Sequence, residues 1–176
     1  MSRKNLGILL FFLFILWTSV IFYFSSQPSG VSNSQSRMAV KIISTVNDTF
    51  DITDTKLYTK LESTVKDIWL FNRYKTPNAV VRKSAHFGIY FLLGIISSVF
   101  GYIYSKKILM GFLLGTSLPV VIAVLDEFNQ GFVGRTSSLN DVIIDGAGAL
   151  TGTLTIIFLI FIVKIINLVR HYLLKK

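Results

Sequence analysis

Cysteine is absent from the 176 residues, which excludes disulfide staples, thiolate metal sites and a cysteine nucleophile. Charge is scarce too. Only 15% of the residues are Asp, Glu, Lys or Arg, against roughly a quarter in an ordinary soluble domain. No internal repeat occurs, and neither Ser137 nor Ser138 sits in a G-x-S-x-G elbow, so a hydrolase nucleophile is not indicated there. What the chain has in abundance is apolar bulk: 52% hydrophobic residues and a mean hydropathy of +0.60. Phe, Leu and Ile dominate, which excludes disorder. The composition is that of an integral membrane protein.

A spanning helix needs about 20 mostly apolar residues, because each adds about 1.5 Å against a hydrocarbon core of about 30 Å. Four stretches meet this, at about residues 6–24, 85–104, 108–125 and 139–166. The first follows Arg3 and Lys4 like a secretory signal. Its 19 uncharged residues exceed the roughly 7–15-residue core of a signal, and no small-residue cleavage site follows. It reads as a retained anchor. The expected fold class is all-α: one domain over residues 1–176, an integral membrane bundle of four transmembrane helices with an extracytoplasmic helical loop at 25–78. Within that loop, Leu57, Leu61, Val65, Ile68 and Trp69 recur at helical spacing and predict an amphipathic helix between Thr55 and Tyr74. It either rests on the membrane or bundle, or forms a lid or a surface for a large ligand. A shorter helix is expected between Ser32 and Val46.

Orientation follows from the basic residues. With the N-terminus inside, Arg3, Lys4, Lys106, Lys107, Lys164, Arg170, Lys175 and Lys176 are cytoplasmic, eight bases without an acid. All nine acids and the other ten bases then lie outside. The net charge of +9 is thus a topology signal. Both termini are expected in the cytoplasm, and nucleic acid is not an expected partner.

Ionisable groups at the ends of spans are costly and raise a functional question. Arg82, His86 and Tyr90 recur every fourth residue and share one helical face. Asp126, Glu127 and Gln130 end the third apolar stretch, and Arg135, Asp141 and Asp145 follow. Ser138-Leu139-Asn140-Asp141 has the S-x-x-D form of a capping box and predicts a helix start. A helix lock needs one or two ion pairs; this set is larger, and each further buried charge adds a desolvation cost. A ligand or catalytic role is therefore favoured for the set. Arg82 and Arg135 suit a phosphate or carboxylate, and His86 suits proton transfer near neutral pH. Carboxylates with one imidazole also suit a hard divalent ion. No tight motif such as H-E-x-x-H occurs, however, and two arginines compete for the same carboxylates, so no metal is expected. No cofactor is assigned. Gly148 and Gly152, four apart beside Gly146, form a small-residue packing face.

Several spaced blocks resemble the VanZ-like family. They are Phe24-Ser25-Ser26-Gln27, then Arg82-Lys83-Ser84-Ala85-His86-Phe87 with Tyr90 and Gly94. The most specific is Asp126-Glu127-Phe128-Asn129-Gln130, followed by Arg135, Asp141-Val142, Gly146-Ala147 and Gly152. The order is that of the family and runs from the first span to the last. Asn129 stands where the family commonly has His, so a role of that His is not carried over. The loop from Gln130 to Arg135 is also a residue shorter than is usual and lacks the Pro-Gly. The resemblance implies a small protein of the bacterial cell membrane linked to low-level resistance to glycopeptide antibiotics, teicoplanin in particular.

Three functional classes follow. In the first, Arg82, Tyr90, Gln130, Arg135, Asp141 and Asp145 bind a ligand at the outer face, among membrane lipids: a lipid-linked cell-wall precursor or the glycopeptide itself. In the second, the protein is an intramembrane enzyme acting on a lipid-linked phosphate or envelope precursor, with His86, Glu127 and Asp126 as proton carriers. In the third, the charges only lock helices. Whether the chain is an enzyme is left open at this point. The topology is tested by single cysteines at Ser29, Asn47 and Ser137, which should react with an impermeant thiol reagent in intact cells. Protection of all three with labelling at Ser105 reverses the orientation.

Overall fold

The computed structural model describes residues 2–50 and 76–174. Among these it contains five helices and no strand: α1 Arg3–Ser25, α2 Ser29–Phe50, α3 Pro77–Ser105, α4 Ile108–Phe132 and α5 Leu139–Leu173. All but α2 are long and apolar enough to cross a membrane. The amphipathic stretch from Thr55 to Tyr74 lies outside the described residues. The helix expected at Ser32–Val46 is longer than the apolar pattern suggested, since Pro28 ends the preceding turn and the chain re-enters a helix at once.

Helix boundaries differ from the apolar stretches in an instructive way. The α3 helix begins at Pro77, eight residues before the expected start at 85. The Thr76 hydroxyl accepts from the Ala79 N–H at 3.3 Å, and Pro77 occupies the first turn, where its missing N–H costs nothing. Hydropathy missed this turn because it carries Arg82 and Lys83. Likewise α4 continues to Phe132 and not to 125, because Asp126, Glu127 and Gln130 are buried on it. The 35 residues of α5 amount to about 50 Å of helix, well beyond the bilayer core.

The centre of the bundle is α3, which packs against every other helix described. Its contact with α5 is made backbone to backbone. A Cβ placed on Gly148 would collide with the Phe87 carbonyl, one on Gly152 with the Phe91 carbonyl, and one on Gly94 with Ala149. The expected small-residue face is therefore real, although Gly146 lies off it, where an added Cβ would meet only the Val120 side chain, at 3.5 Å. On the other side, the Trp17 indole N–H donates to the Ile89 carbonyl at 3.0 Å, tying α1 to α3. Ile21, Tyr90, Leu93 and Ala123 are buried together around that tie. Large apolar side chains such as Phe12, Leu16, Phe158 and Phe161 point outward, as a lipid-facing surface requires.

Gly148→Leu should therefore lower the melting temperature in detergent sharply, since overpacking alone costs about 1–3 kcal/mol and here backbone must move. Gly146→Ala has room and should melt within a few degrees of wild type.

Candidate functional site

The C-terminal ends of α1 and α4 and the N-terminal ends of α3 and α5 meet at one end of the bundle, where the polar residues collect. They form two adjoining layers. The deeper layer contains Asp126, 1% exposed, Asp145, 0% exposed, and the buried Tyr90. Asp145 Oδ1 lies 3.4 Å from His86 Nδ1. Asp126 Oδ2 accepts from Gln130 Nε2 at 3.2 Å, one turn along α4. Tyr90 lies beside Asp126, and the Ser25 hydroxyl donates to the Asp126 carbonyl at 3.4 Å. Ligand atoms of His86, Asp126 and Asp145 all lie within 4.8 Å of one another.

The outer layer is built on Lys83, Glu127, Arg135 and Asp141. Lys83 and Asp141 form a buried ion pair between α3 and α5. Glu127 Oε2 accepts from the Ser138 N–H at 2.7 Å, and the Ser137 hydroxyl donates to the Glu127 carbonyl at 2.7 Å. The expected capping box is thus not formed. Ser138 occupies the N-cap position, but its hydroxyl makes no cap bond. Asp141 is drawn to Lys83, and a carboxylate from another helix takes the N–H that a capping box would satisfy internally. Arg135 is held at its backbone, where its N–H donates to Gln130 at 3.2 Å. Its Nη1 donates to the Ser25 carbonyl at 3.3 Å. Burial, then the neighbouring positive charge of Arg82, pulls the Arg135 guanidinium below its ordinary pKa, against the pull of Asp126, Glu127 and Asp141. An arginine remains charged under such pressure.

Two cavities flank these layers. A groove of about 240 Å³ runs between α1, α2 and α3, with Ile21, Phe24, Ala39 and Ile89 among its apolar walls and His86, Tyr90 and Asp126 at its polar end. A larger recess of about 700 Å³ lies over the outer layer and is lined by Lys83, Gln130, Ser137 and Asp141, among others. Arg82 and Arg135 line both.

The structure gathers the candidate residues at one end of the bundle, but not all in one pocket. Arg82, His86, Tyr90, Asp126, Gln130, Arg135 and Asp141 each reach a cavity. Glu127 and Asp145, expected as proton carrier and ligand contact, line neither of the two. Glu127 is turned to the start of α5, and Asp145 stands behind His86, one turn deeper than Asp141. His86 consequently faces Asp145 and Asp126, and Glu127 is committed elsewhere. Ser25 joins the site without having been assigned to it, and Lys83, which the sequence places beside Arg82 near the carboxylates, is bound into it by Asp141. The signal for Lys83 was available: it precedes His86 by three and Tyr90 by seven residues, positions that share a helical face. Asn129 Nδ2 donates to the Ser26 hydroxyl at 3.1 Å, at the exposed rim.

Compared with known families, residues 10–162 match the family model described as VanZ/LLP1, a range that takes in every site residue named above. No match is found among curated proteins or solved structures.

The Lys83–Asp141 pair generates a stability test. Lys83→Met removes the cation paired with a buried carboxylate and should cost about 3–5 kcal/mol, while Lys83→Met with Asp141→Leu should regain most of that loss. Equal melting of the single variant and wild type in detergent would show the pair to be energetically idle.

Proposed function

The chain belongs to the VanZ/LLP1 family, and on that premise we propose that it binds an anionic, lipid-linked envelope precursor at the polar end of the bundle. The segregation of basic residues supports an extracytoplasmic position for that end, and in a bacterial cell membrane that is the face where glycopeptides meet their precursors. One observation carries the reading: Arg82 and Arg135 stand on the boundary between an apolar groove and a polar recess. A prenyl or acyl chain fits the groove, its phosphate meets the two guanidinium groups, and a polar head extends into the recess. Arginine suits this because its planar fork binds phosphate oxygens in pairs. Holding such a precursor, or the acyl-bearing drug itself, links the site to the low-level teicoplanin resistance that the family resemblance implies.

A second reading is favoured by the His86–Asp145 contact. A partly exposed imidazole lining the groove, with a fully buried carboxylate behind it at 3.4 Å, is the arrangement of a general base and the group that orients it. Beside an arginine-bound phosphate it suits an enzyme acting on a lipid-linked phosphate, with Asp126 as the second proton carrier.

Farnesyl phosphate and farnesol, titrated into the purified protein in nanodiscs, test both readings. Arg82→Ala and Arg135→Ala should each weaken farnesyl phosphate about tenfold or more, as the loss of a charge-assisted hydrogen bond predicts, and leave farnesol unchanged. In cells, the same variants should lose any protection against teicoplanin that the wild-type chain confers. Undiminished farnesyl phosphate binding by the double variant would sink the binding site. Release of inorganic phosphate that stops in His86→Ala would favour the enzyme.

A further inference from the structure

We propose that the deeper layer is a binding site for one divalent transition-metal ion, held by His86, Asp126 and Asp145 with the Tyr90 hydroxyl beside it. The inference stands on this cluster and not on the lipid reading above. Geometry comes first. The three ligand atoms lie within 4.8 Å of one another, and the 3.4 Å between His86 Nδ1 and Asp145 Oδ1 matches one edge of a metal tetrahedron. Metal–ligand bonds of about 2.0–2.2 Å give edges of about 3.3–3.6 Å. Small side-chain rotations bring in the third ligand.

The second observation is independent of spacing. Asp126 Oδ1, Asp145 Oδ2 and the Tyr90 hydroxyl are buried and close no hydrogen bond among the described residues, and Asp145 Oδ1 meets only the His86 ring, at 3.4 Å. Tyr90 is 1% exposed, and its hydroxyl faces Asp126. Buried carboxylates left in that condition carry a desolvation cost that a cation offsets. Among the described residues neither arginine forms an ion pair with Asp126 or Asp145, although Arg135 is close enough to be drawn by Asp126. Arg135 Nη1 donates to the Ser25 carbonyl, Lys83 pairs with Asp141, and Arg82 lines the two cavities.

Chemistry narrows the ion. Two carboxylates, an imidazole and a phenol mix oxygen with nitrogen, which suits Mn²⁺, Fe²⁺ or Zn²⁺ better than Mg²⁺, an ion that keeps most of its water. The groove touches His86, Tyr90 and Asp126, so it offers an entry path and leaves a coordination position open toward the groove.

The test uses the full chain purified in detergent, stripped by a chelator and titrated with MnCl₂, with free Mn²⁺ read by electron paramagnetic resonance and ZnCl₂ as competitor. One ion per chain should bind, with a hyperfine coupling from imidazole nitrogen. Asp145→Asn should abolish binding. His86→Ala, at a partly exposed position, should keep its melting curve, lose the nitrogen coupling and bind at least about tenfold more weakly, since changes even outside the ligand shell cost 10–100-fold. Failure of both ions to bind one per chain overturns the proposal. So does equal binding by wild type and by folded His86→Ala.

Discussion

The close approach of α3 and α5 fixes the geometry on which the polar end depends. Gly148 lies against the Phe87 carbonyl and Gly152 against the Phe91 carbonyl. Both glycines advance along α5 as their partners advance along α3, so the two helices run parallel in a fixed register. One turn before Gly148 is Asp145, and immediately before Phe87 is His86; the seam therefore delivers one to the other. A second turn back places Asp141 at Lys83. With lipid tails as apolar as the helices, close contact between small residues replaces the hydrophobic drive that a soluble bundle uses. A side chain in this seam separates the acids of α5 from the bases of α3, and the desolvation cost of each then stands unrelieved.

That register also explains the division of labour between two consecutive acids. Neighbours on a helix point about 100° apart, so Asp126 and Glu127 cannot share a direction. Asp126 turns inward to Tyr90 and Gln130, and Glu127 turns to the start of α5, where it takes the Ser138 N–H. The first belongs to the site beside the groove. The second secures the loop that carries Arg135. A single helical turn of α4 thus serves both the chemistry and the frame that positions it.

How far the sequence disclosed this is uneven for physical reasons. Four apolar stretches were legible because the bilayer demands length and hydropathy in each segment separately. The small-residue face at Gly148 and Gly152 was legible because its spacing is local to one helix. Glu127 capping α5 was not, since Ser138 to Asp141 supplies a complete local alternative that only the pull of Lys83 defeats. Nor was the choice of Asp145 over Glu127 as the partner of His86, which depends on interhelical register. Local signals were also present and outweighed: Thr76-Pro77 marks the start of α3, but the charges at Arg82 and Lys83 depress hydropathy across that turn.

The depth at which the charges sit bears on what the site can recognise. A soluble anion needs only the outer recess, and an apolar ligand needs only the groove. Neither explains why two guanidinium groups border both. Charge on a membrane protein is least costly at the water interface and dearer with each turn inward, and Arg135 is already buried enough for its proton affinity to fall. On the proposed reading, these cations meet the phosphate of a lipid whose chain occupies the groove. The proposal of an amphiphilic ligand rests on the position of Arg82 and Arg135 between groove and recess, more than on their number.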